Sequence, residues 1–538
     1  MKIAVLLHFY QPVNQQLDIL NRIVHESYLP LTRGLLKSKK GKIIINFNGS
    51  LVDLLNGDLF KDTDTAGIDT SVYKEVLDNI RKLYEDGRVE LTGSAKYHPF
   101  LPLIPEEEIQ NQININNKSN IQAFGAQYKP TGFFSPEMAV SDKVMSVVKE
   151  QGYTWVASPE LSFKSDNPDT YKMYKDRKSG LKLLFRNKRV SSIILSSVCR
   201  DVEDLLKETK DIYEKDNYWF CVMDAETFGH HRIGHEKFLF EILDSPYFEP
   251  VTVSDILSMN MPEEEVDIRP STWSNEEQDF WLDRERNVPT EARSFILWRD
   301  PENPIHALQW ELTNNVIDVL KNHKNKDSPE YVEARELMDK AIASDQYWWA
   351  SAKPWWSLEM VEQGAYETKK VLEILKASPD ILEKADRIYR NILDLAFEWQ
   401  REGIIRKRHL SHSGTYLKDT FKKRTPPDWY NLMVLELEFE MKASAERRDF
   451  EKAIKWRDAL IKMENGNDVY DVLHVVDELW SAKHLPTIKA FLQHDWEELS
   501  DFSKQYFIDR AGNKITREAF ELWKKELGHL YETKKEDK

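Results

Sequence analysis

The sequence predicts an α/β protein, a (β/α)7-type barrel followed by an α-helical C-terminal region. Three observations carry that expectation. Short apolar runs alternate with helical stretches through the first half of the chain. Several of those runs end in a polar or charged residue followed by Gly, Pro or Ser. From about Ala307 to Asn465 the apolar spacing turns mostly helical and Gly becomes rare.

Taken in order, Ile3 to Leu7 reads as a buried strand with His8 just past its end. Lys42 to Phe47 is a second, leading into the turn Asn48-Gly49-Ser50. Arg88 to Thr92 follows and runs into Gly93-Ser94-Ala95-Lys96-Tyr97-His98-Pro99. Lys129-Pro130-Thr131-Gly132 punctuates the entry to Phe133-Phe134-Ser135-Pro136-Glu137, and Ser141 then signals a helix N-cap. Tyr153 to Ala157 and Leu181 to Arg186 are further strands. Tyr218 to Met223 is an unbroken apolar run that Asp224 ends, and Val251-Thr252-Val253 closes the series with Ser254 as a helix cap. About seven such units suit a barrel better than an open sheet.

The expected domains are a catalytic barrel over 1–260, a linker over 261–290, a helical domain over 291–480 that contributes to the cleft, and a helical extension over 481–538. Met261 to Pro270 is acidic and bracketed by prolines, which suggests the linker. Within the helical region, Leu437–Glu446 and Phe450–Asp458 form a hairpin turning at Arg447-Arg448-Asp449. It resembles the short hairpin motif of nucleotide-excision-repair nuclease subunits, and an ordinary antiparallel helix pair is the favoured reading. The tail Glu532 to Lys538 is charged and expected to fray.

Whole-chain properties narrow the function classes. A length of 538 residues calls for two or three domains, and 41% hydrophobic with 11% aromatic residues indicates a packed globular protein. A formal net charge of −16 argues against nucleic acid or an anionic membrane as the main partner; a neutral ligand is indifferent to it. Cys199 and Cys221 lie in apolar surroundings and offer neither a disulfide framework nor a metal knuckle. The N-terminal apolar run is too short for a signal peptide, and no later run could span a bilayer, so a cytoplasmic location is expected. Oligomeric state is not legible.

The chemistry rests on two carboxylates. Glu137 sits where a short strand gives way to a helix, and Asp224 ends another strand. Alone, Glu137 reads as a helix cap or an ion-pair partner. Together the two acids form the minimum set for cleaving a glycosidic bond, one attacking or stabilising the anomeric carbon and the other protonating the leaving oxygen. That division expects the attacking carboxylate ionised and the donor protonated, the donor's pKa raised by burial and by its anionic neighbour. Two readings compete. His231 and His235, four apart, suit the His pair of a metal-dependent polysaccharide deacetylase if a helix carries both. A non-catalytic glucan-binding protein is the other.

Five motifs then fall in a fixed order. His8-Phe9-Tyr10-Gln11-Pro12 resembles the His-x-His-Gln-Pro opening of glycoside hydrolase family 57. Glu90 to Pro105, with Tyr97-His98-Pro99, resembles its second region and Phe134-Ser135-Pro136-Glu137 its third. Met223-Asp224-Ala225-Glu226 through His230-His231 resembles the fourth, and Ala343-Ser344-Asp345-Gln346-Tyr347-Trp348-Trp349 is similar to the fifth. The resemblance implies retaining chemistry on an α-glucan or malto-oligosaccharide, hydrolytic or transglycosylating, with no required metal or cofactor. It makes Glu137 the nucleophile and Asp224 the acid/base, with His8, Gln11, Glu226, His230 and Asp345 positioning substrate. Tyr10 replaces the second His of the opening, and His98 stands in the second region; both are expected to line the substrate site. Ala225 replaces the Gly of the usual Asp-Gly-Glu. Trp348 and Trp349 offer flat faces for pyranose rings, as do Trp355 and Trp356, with some of the four needed for packing.

Overall fold

The structure is a computed structural model, which describes residues 1–57, 70–164, 168–195, 199, 201–274, 294–353, 355–412, 427–465, 496–498, 517, 521 and 524. Ten strands are present among them: β1 (Lys2–Phe9), β2 (Ile43–Phe47), β3 (Val89–Thr92), β4 (Gly132–Phe133), β5 (Trp155–Ser158), β6 (Met173–Asp176), β7 (Lys182–Phe185), β8 (Tyr218–Asp224), β9 (Glu249–Pro250) and β10 (Glu263–Val266). One sheet runs β3-β2-β1-β8, with β9 beside the start of β1, and the other runs β10-β6-β7-β5-β4.

Seven strands follow one another around a ring, β1, β2, β3, β4, β5, β7 and β8, and every full ladder among them is parallel. Two seams join the sheets. At the first, Gly93 N–H donates to the Gly132 carbonyl at 2.8 Å and Phe134 N–H to the Gly93 carbonyl at 2.9 Å. At the second, Asn187 N–H donates to the Phe220 carbonyl at 2.7 Å. No ladder closes this second seam. The free edge of β7 is taken at Lys182 and Leu183 by antiparallel β6, where a closed ring would place β8.

The period-two alternation of the strands decides what the ring presents to its interior. Ala4, Leu6, Ile44, Phe220 and Val222 belong to one buried apolar cluster, whereas Ile3, Val5, Leu7, Ile43, Ile45 and Cys221 pack outward with the surrounding helices. Continuing the inward series by one step reaches His8 on β1, Asn46 on β2 and Asp224 on β8. The same pattern that buries the core therefore aims the terminal polar residues of three neighbouring strands to one side. Both cysteines are buried and free.

Among the described residues from 294 to 412 the chain is mainly helical, with Pro304–Lys321, Pro329–Ala341, Asp345–Trp348, Leu358–Ile374, Pro379–Arg401 and Ile404–His412. Asn303 caps the first of these by accepting from the Ile305 and His306 N–H groups, with Pro304 at its first position. These helices share a core with the barrel's outer residues: Phe100, Phe133 and Val144 join Trp298, Trp310 and Ala365 in one cluster.

Several sequence expectations are corrected. The stretch read as a linker carries β10, which pairs with β6, and continues through bridges from Ile268 to Phe163 and from Ser271 to Val140. Its acidic side chains are exposed along an edge, so no apolar pattern marks it as a strand. Residues 275–290 of that linker lie outside the described residues. The last predicted strand is instead Glu249–Pro250, because Thr252 and Asp255 form a capping box that starts a helix at Val253; Ser254 is not the cap. The compact units divide at Ser413/Gly414, with 231–234 grouped in the second, rather than near 260 or 480. In that second unit the helices Pro427–Glu446 and Phe450–Asn465 form the expected hairpin, packed through Tyr430, Leu437, Trp456, Ala459 and Met463. Arg448 takes a positive φ of 62° at its turn. Of the extension over 481–538 only 496–498, 517, 521 and 524 are described, and the charged tail lies outside.

Candidate active site

Asp224 follows the last inward-facing apolar residue of β8 and stands beside His8 in the parallel register. Burial is the main influence on its carboxyl, pushing the pKa up to about 6, against the nearby Arg186 guanidinium, which pulls it down. Arg186 is itself buried and donates from Nε to the Val222 carbonyl at 3.0 Å.

Glu137 lies in a short turn, Pro136–Met138, between β4 and the helix Asp142–Glu150, which Ser141 caps by accepting from the Val144 N–H. Its backbone is left-handed, φ 57° and ψ 19°, and Met138 follows at φ 49°. For non-glycine residues this conformation is strained and needs outside support. Trp273 supplies part of it, donating from Nε1 to Glu137 Oε2 at 3.0 Å. Oε1 lies 3.9 Å from Nδ1 of His98. Burial pushes the Glu137 pKa up to about 8, the Trp273 bond opposes the rise, and the charges of Asp345 and Asp224 add to it. Glu137 and Asp224 therefore stand close enough to feel one another's charge.

The residues around the pair form a continuous polar and aromatic wall. His8 reaches Asn46 Oδ1 from Nδ1 at 2.6 Å, and Asn46 Nδ2 donates to Thr92 Oγ1 at 3.0 Å, so the His8 hydrogen sits on Nδ1. Burial lowers the His8 pKa to about 4, leaving the ring neutral at pH 7. Tyr10 stacks on His98 with centroids 4.0 Å apart and donates its hydroxyl to Asp345 Oδ2 at 2.6 Å. His98 reaches Ser344 Oγ from Nδ1 at 3.1 Å, and its buried Nε2 has no protein partner among the described residues. Burial holds its pKa well below the usual histidine value.

Gln11 donates from Nε2 to Tyr28 Oη at 3.1 Å and to Glu226 Oε1 at 3.4 Å; Tyr28 donates to Glu226 Oε2 at 3.4 Å. Burial, then the charge of Asp224, raises Glu226 well above the ordinary carboxylate value. Tyr28 belongs to a π-helical turn, Val24–Tyr28, a local insertion found often at functional sites. The same turn fixes the chain after Asp224: Ser27 donates to the Ala225 carbonyl at 2.9 Å, and Glu26 pairs with His230 Nδ1 at 2.6 Å. Gly229 is required there, because a side chain's Cβ would come within 1.9 Å of the Glu26 carbonyl oxygen.

The fifth motif arrives from the helical region. Ser344 N–H donates to the His98 carbonyl at 3.0 Å, which seats Asp345 at the start of its helix beside Tyr10. Trp348 and Trp349 follow, half-buried; Trp348 stacks on Trp355 at 4.9 Å and meets Trp349 edge-on at 5.0 Å. Trp356 packs with Trp399. His231 and His235 do not share a helix. His231 lies in the preceding turn, and His235 begins the helix, buried between Phe228 and Phe238 with Nε2 against the Ile194 carbonyl. Sequence reasoning missed Trp273, which lay in the supposed linker, and Arg186, a single basic residue at a strand end. It also missed Tyr28, whose helical spacing reads as core.

Residues 5–269 match the family model described as Glycosyl hydrolase family 57, and residues 432–466 match the UvrB/uvrC motif, at the hairpin read from the residues as an ordinary helix pair. The chain is 24% identical over 180 residues to alpha-amylase 1 of Dictyoglomus thermophilum, covering 33% of this chain and 24% of that one. It is 24% identical over 159 residues to an alpha-amylase of Pyrococcus horikoshii, covering 30% and 22%. The match thus spans about a quarter of the length of these curated relatives. Among solved structures, a family 57 branching enzyme of Thermococcus kodakaraensis superposes with TM-score 0.52 at 15% identity, over 73% of this chain and 95% of that one. A 4-alpha-glucanotransferase of Thermococcus litoralis gives 0.51 at 17%, over 69% and 58%. The alpha-amylase AmyC of Thermotoga maritima gives 0.50 at 14%, over 73% and 99%. At these identities the likeness is one of fold.

Proposed function

The chain belongs to glycosyl hydrolase family 57 through residues 5–269, and on that premise we propose that it is an enzyme acting on α-1,4-linked glucose polymers by double displacement between Glu137 and Asp224. The observation that carries this reading is the placement of the two acids, each at the end of a barrel strand and half-buried, with burial and then the charges of Asp345 and Asp224 raising Glu137. In the first step a Glu137 carboxylate oxygen bonds the anomeric carbon while the glycosidic bond breaks and Asp224 gives its proton to the leaving oxygen. In the second, Asp224 takes a proton from water or from an acceptor sugar hydroxyl. That oxygen then displaces Glu137, so water yields hydrolysis and a sugar yields transfer.

The surroundings support that division of labour. The hydrogen-bonding groups of Tyr10, Gln11, Glu226 and Asp345 suit sugar hydroxyls, and His98 stands beside Glu137, its Nδ1 3.9 Å from Oε1. His8 is neutral and held by Asn46, and it backs the site as a flat ring. Half-buried Trp348 and Trp349 stand on the helix that begins with Asp345, where an exposed ring edge or face can contact a further glucose unit. His230 acts through Glu26 to hold the turn after Asp224.

One observation favours a second assignment of roles. Burial pushes the Glu137 pKa up to about 8 and that of Asp224 up to about 6, with Arg186 favouring the Asp224 anion. The single proton shared by the pair at pH 7 therefore rests on Glu137, opposite to the distribution that attack by Glu137 requires. Under the reversed assignment Asp224 attacks and Glu137 donates. Substrate favours the first assignment if the developing positive charge at the anomeric carbon draws the proton from Glu137 towards Asp224.

Incubation with maltoheptaose, followed by separation of products by length, tests the activity. Shorter sugars alone indicate hydrolysis, and a ladder extending beyond the substrate indicates transfer. Glucan that binds and is never altered would support the non-catalytic alternative.

A further inference from the structure

We propose that Thr272 and Trp273 are positioning residues for Glu137, carried to it by a strap that returns from the second sheet; this deepens the functional reading above and rests on it. The strap leaves β10 and is pinned along its length. Ile268 bridges to Phe163, and Arg269 N–H donates to the Ser162 carbonyl at 2.9 Å. Val140 and Ser271 exchange backbone hydrogen bonds of 2.9 and 3.2 Å. The next two residues direct three donors at one amino acid. Thr272 Oγ1 donates to the Glu137 carbonyl at 2.5 Å, Trp273 N–H to the same carbonyl at 3.3 Å, and Trp273 Nε1 to Glu137 Oε2 at 3.0 Å.

Two features separate this from ordinary packing. The carbonyl that receives two donors belongs to a residue in left-handed backbone, a conformation Glu137 holds only while its surroundings enforce it. The third donor goes to the carboxylate itself and fixes one oxygen, leaving Oε1 beside His98. The indole also touches the other half of the site: the Arg186 guanidinium lies 5.7 Å from its ring centroid, and its edge meets His8 at 6.0 Å and Phe134 at 5.5 Å. A donor to the carboxylate stabilises its ionised form, so losing the indole N–H makes Glu137 harder to ionise.

The test compares Trp273→Phe, which keeps an aromatic ring and loses the donor, with wild type by difference infrared titration. The Glu137 band is identified by its absence in Glu137→Gln. The Glu137 midpoint is expected to rise by about one pH unit in Trp273→Phe. A folded variant whose midpoint stays at the wild-type value overturns the proposal. This readout needs no substrate, so a wild type inert on glucans would refute the functional reading and leave the strap to be judged separately. Should Trp273→Phe fail to fold, Thr272→Val and Thr272→Ser decide. The valine variant is expected to lose about tenfold in kcat with KM little changed, and serine, which restores the donor, to recover most of it. Equal losses in both, or a loss confined to KM, would overturn the assignment.

Discussion

The Tyr10 hydroxyl donates to Oδ2 of Asp345 at 2.6 Å, joining the end of the first barrel strand to a helix 335 positions later. The candidate site is thus built by two parts of the fold at once, and Tyr10 stands where the family pattern has histidine. Tyr10→Phe keeps the ring that stacks on His98 and removes the donor to a half-buried carboxylate. A charge-assisted hydrogen bond is worth about 1.5–3 kcal/mol, so kcat/KM on maltoheptaose is expected to fall at least about tenfold. Unchanged kinetics would show that Asp345 needs no such support.

The pH profile follows from the two raised carboxyls. Below about 6 both Asp224 and Glu137 carry protons and neither can attack; above about 8 both are ionised and neither can donate. A bell-shaped dependence of kcat/KM between those values is expected under either assignment of roles. Arg186→Met removes the cation that favours the Asp224 anion, so the acidic limb should move to higher pH and narrow the bell. A limb that stays in place, measured on folded variant, would remove Arg186 from the electrostatics of the site.

Stability is expected to respond in the opposite sense to activity. Because the folded Glu137 pKa lies above its ordinary value of 4.5, the folded state holds its proton more tightly than the unfolded chain does. Wild-type stability should therefore decline as pH rises from about 4.5 to about 8, and Glu137→Gln should show a shallower decline, set by Asp224, Glu226 and Asp345, whose carboxyls are raised as well. Denaturation at pH 8 should find the variant more stable by on the order of 2 kcal/mol, with the gap closing towards pH 4. A variant less stable than wild type at pH 8 would contradict the burial cost.

Much of this fold was legible because buried parallel strands write themselves as apolar runs. β1 and β8 are the clearest cases, and their terminal His8 and Asp224 could be read as site residues from position alone. Two strands escaped notice. Met173–Asp176 reads Met-Tyr-Lys-Asp and is half charged, and Glu263–Val266 is acidic and exposed, paired by backbone and by ion pairs such as Lys172–Glu264. A strand held this way leaves no hydrophobic signature. Trp273 was lost with it, since a tryptophan inside an apparent linker gives no hint of its partner 136 positions earlier. The electrostatic setting of Asp224 was legible only in part: its rise by burial was expected, and the buried Arg186 that opposes the rise was not.

The most direct measurement is to trap the glycosyl-enzyme with a 5-fluoro-α-glucosyl fluoride and map the labelled peptide by mass spectrometry. Label on Glu137, lost in Glu137→Gln, is expected. Label on Asp224 would reverse the two roles, and label elsewhere, or turnover of maltoheptaose undiminished in Glu137→Gln, would contradict the pairing of these two carboxyls as the reactive centre.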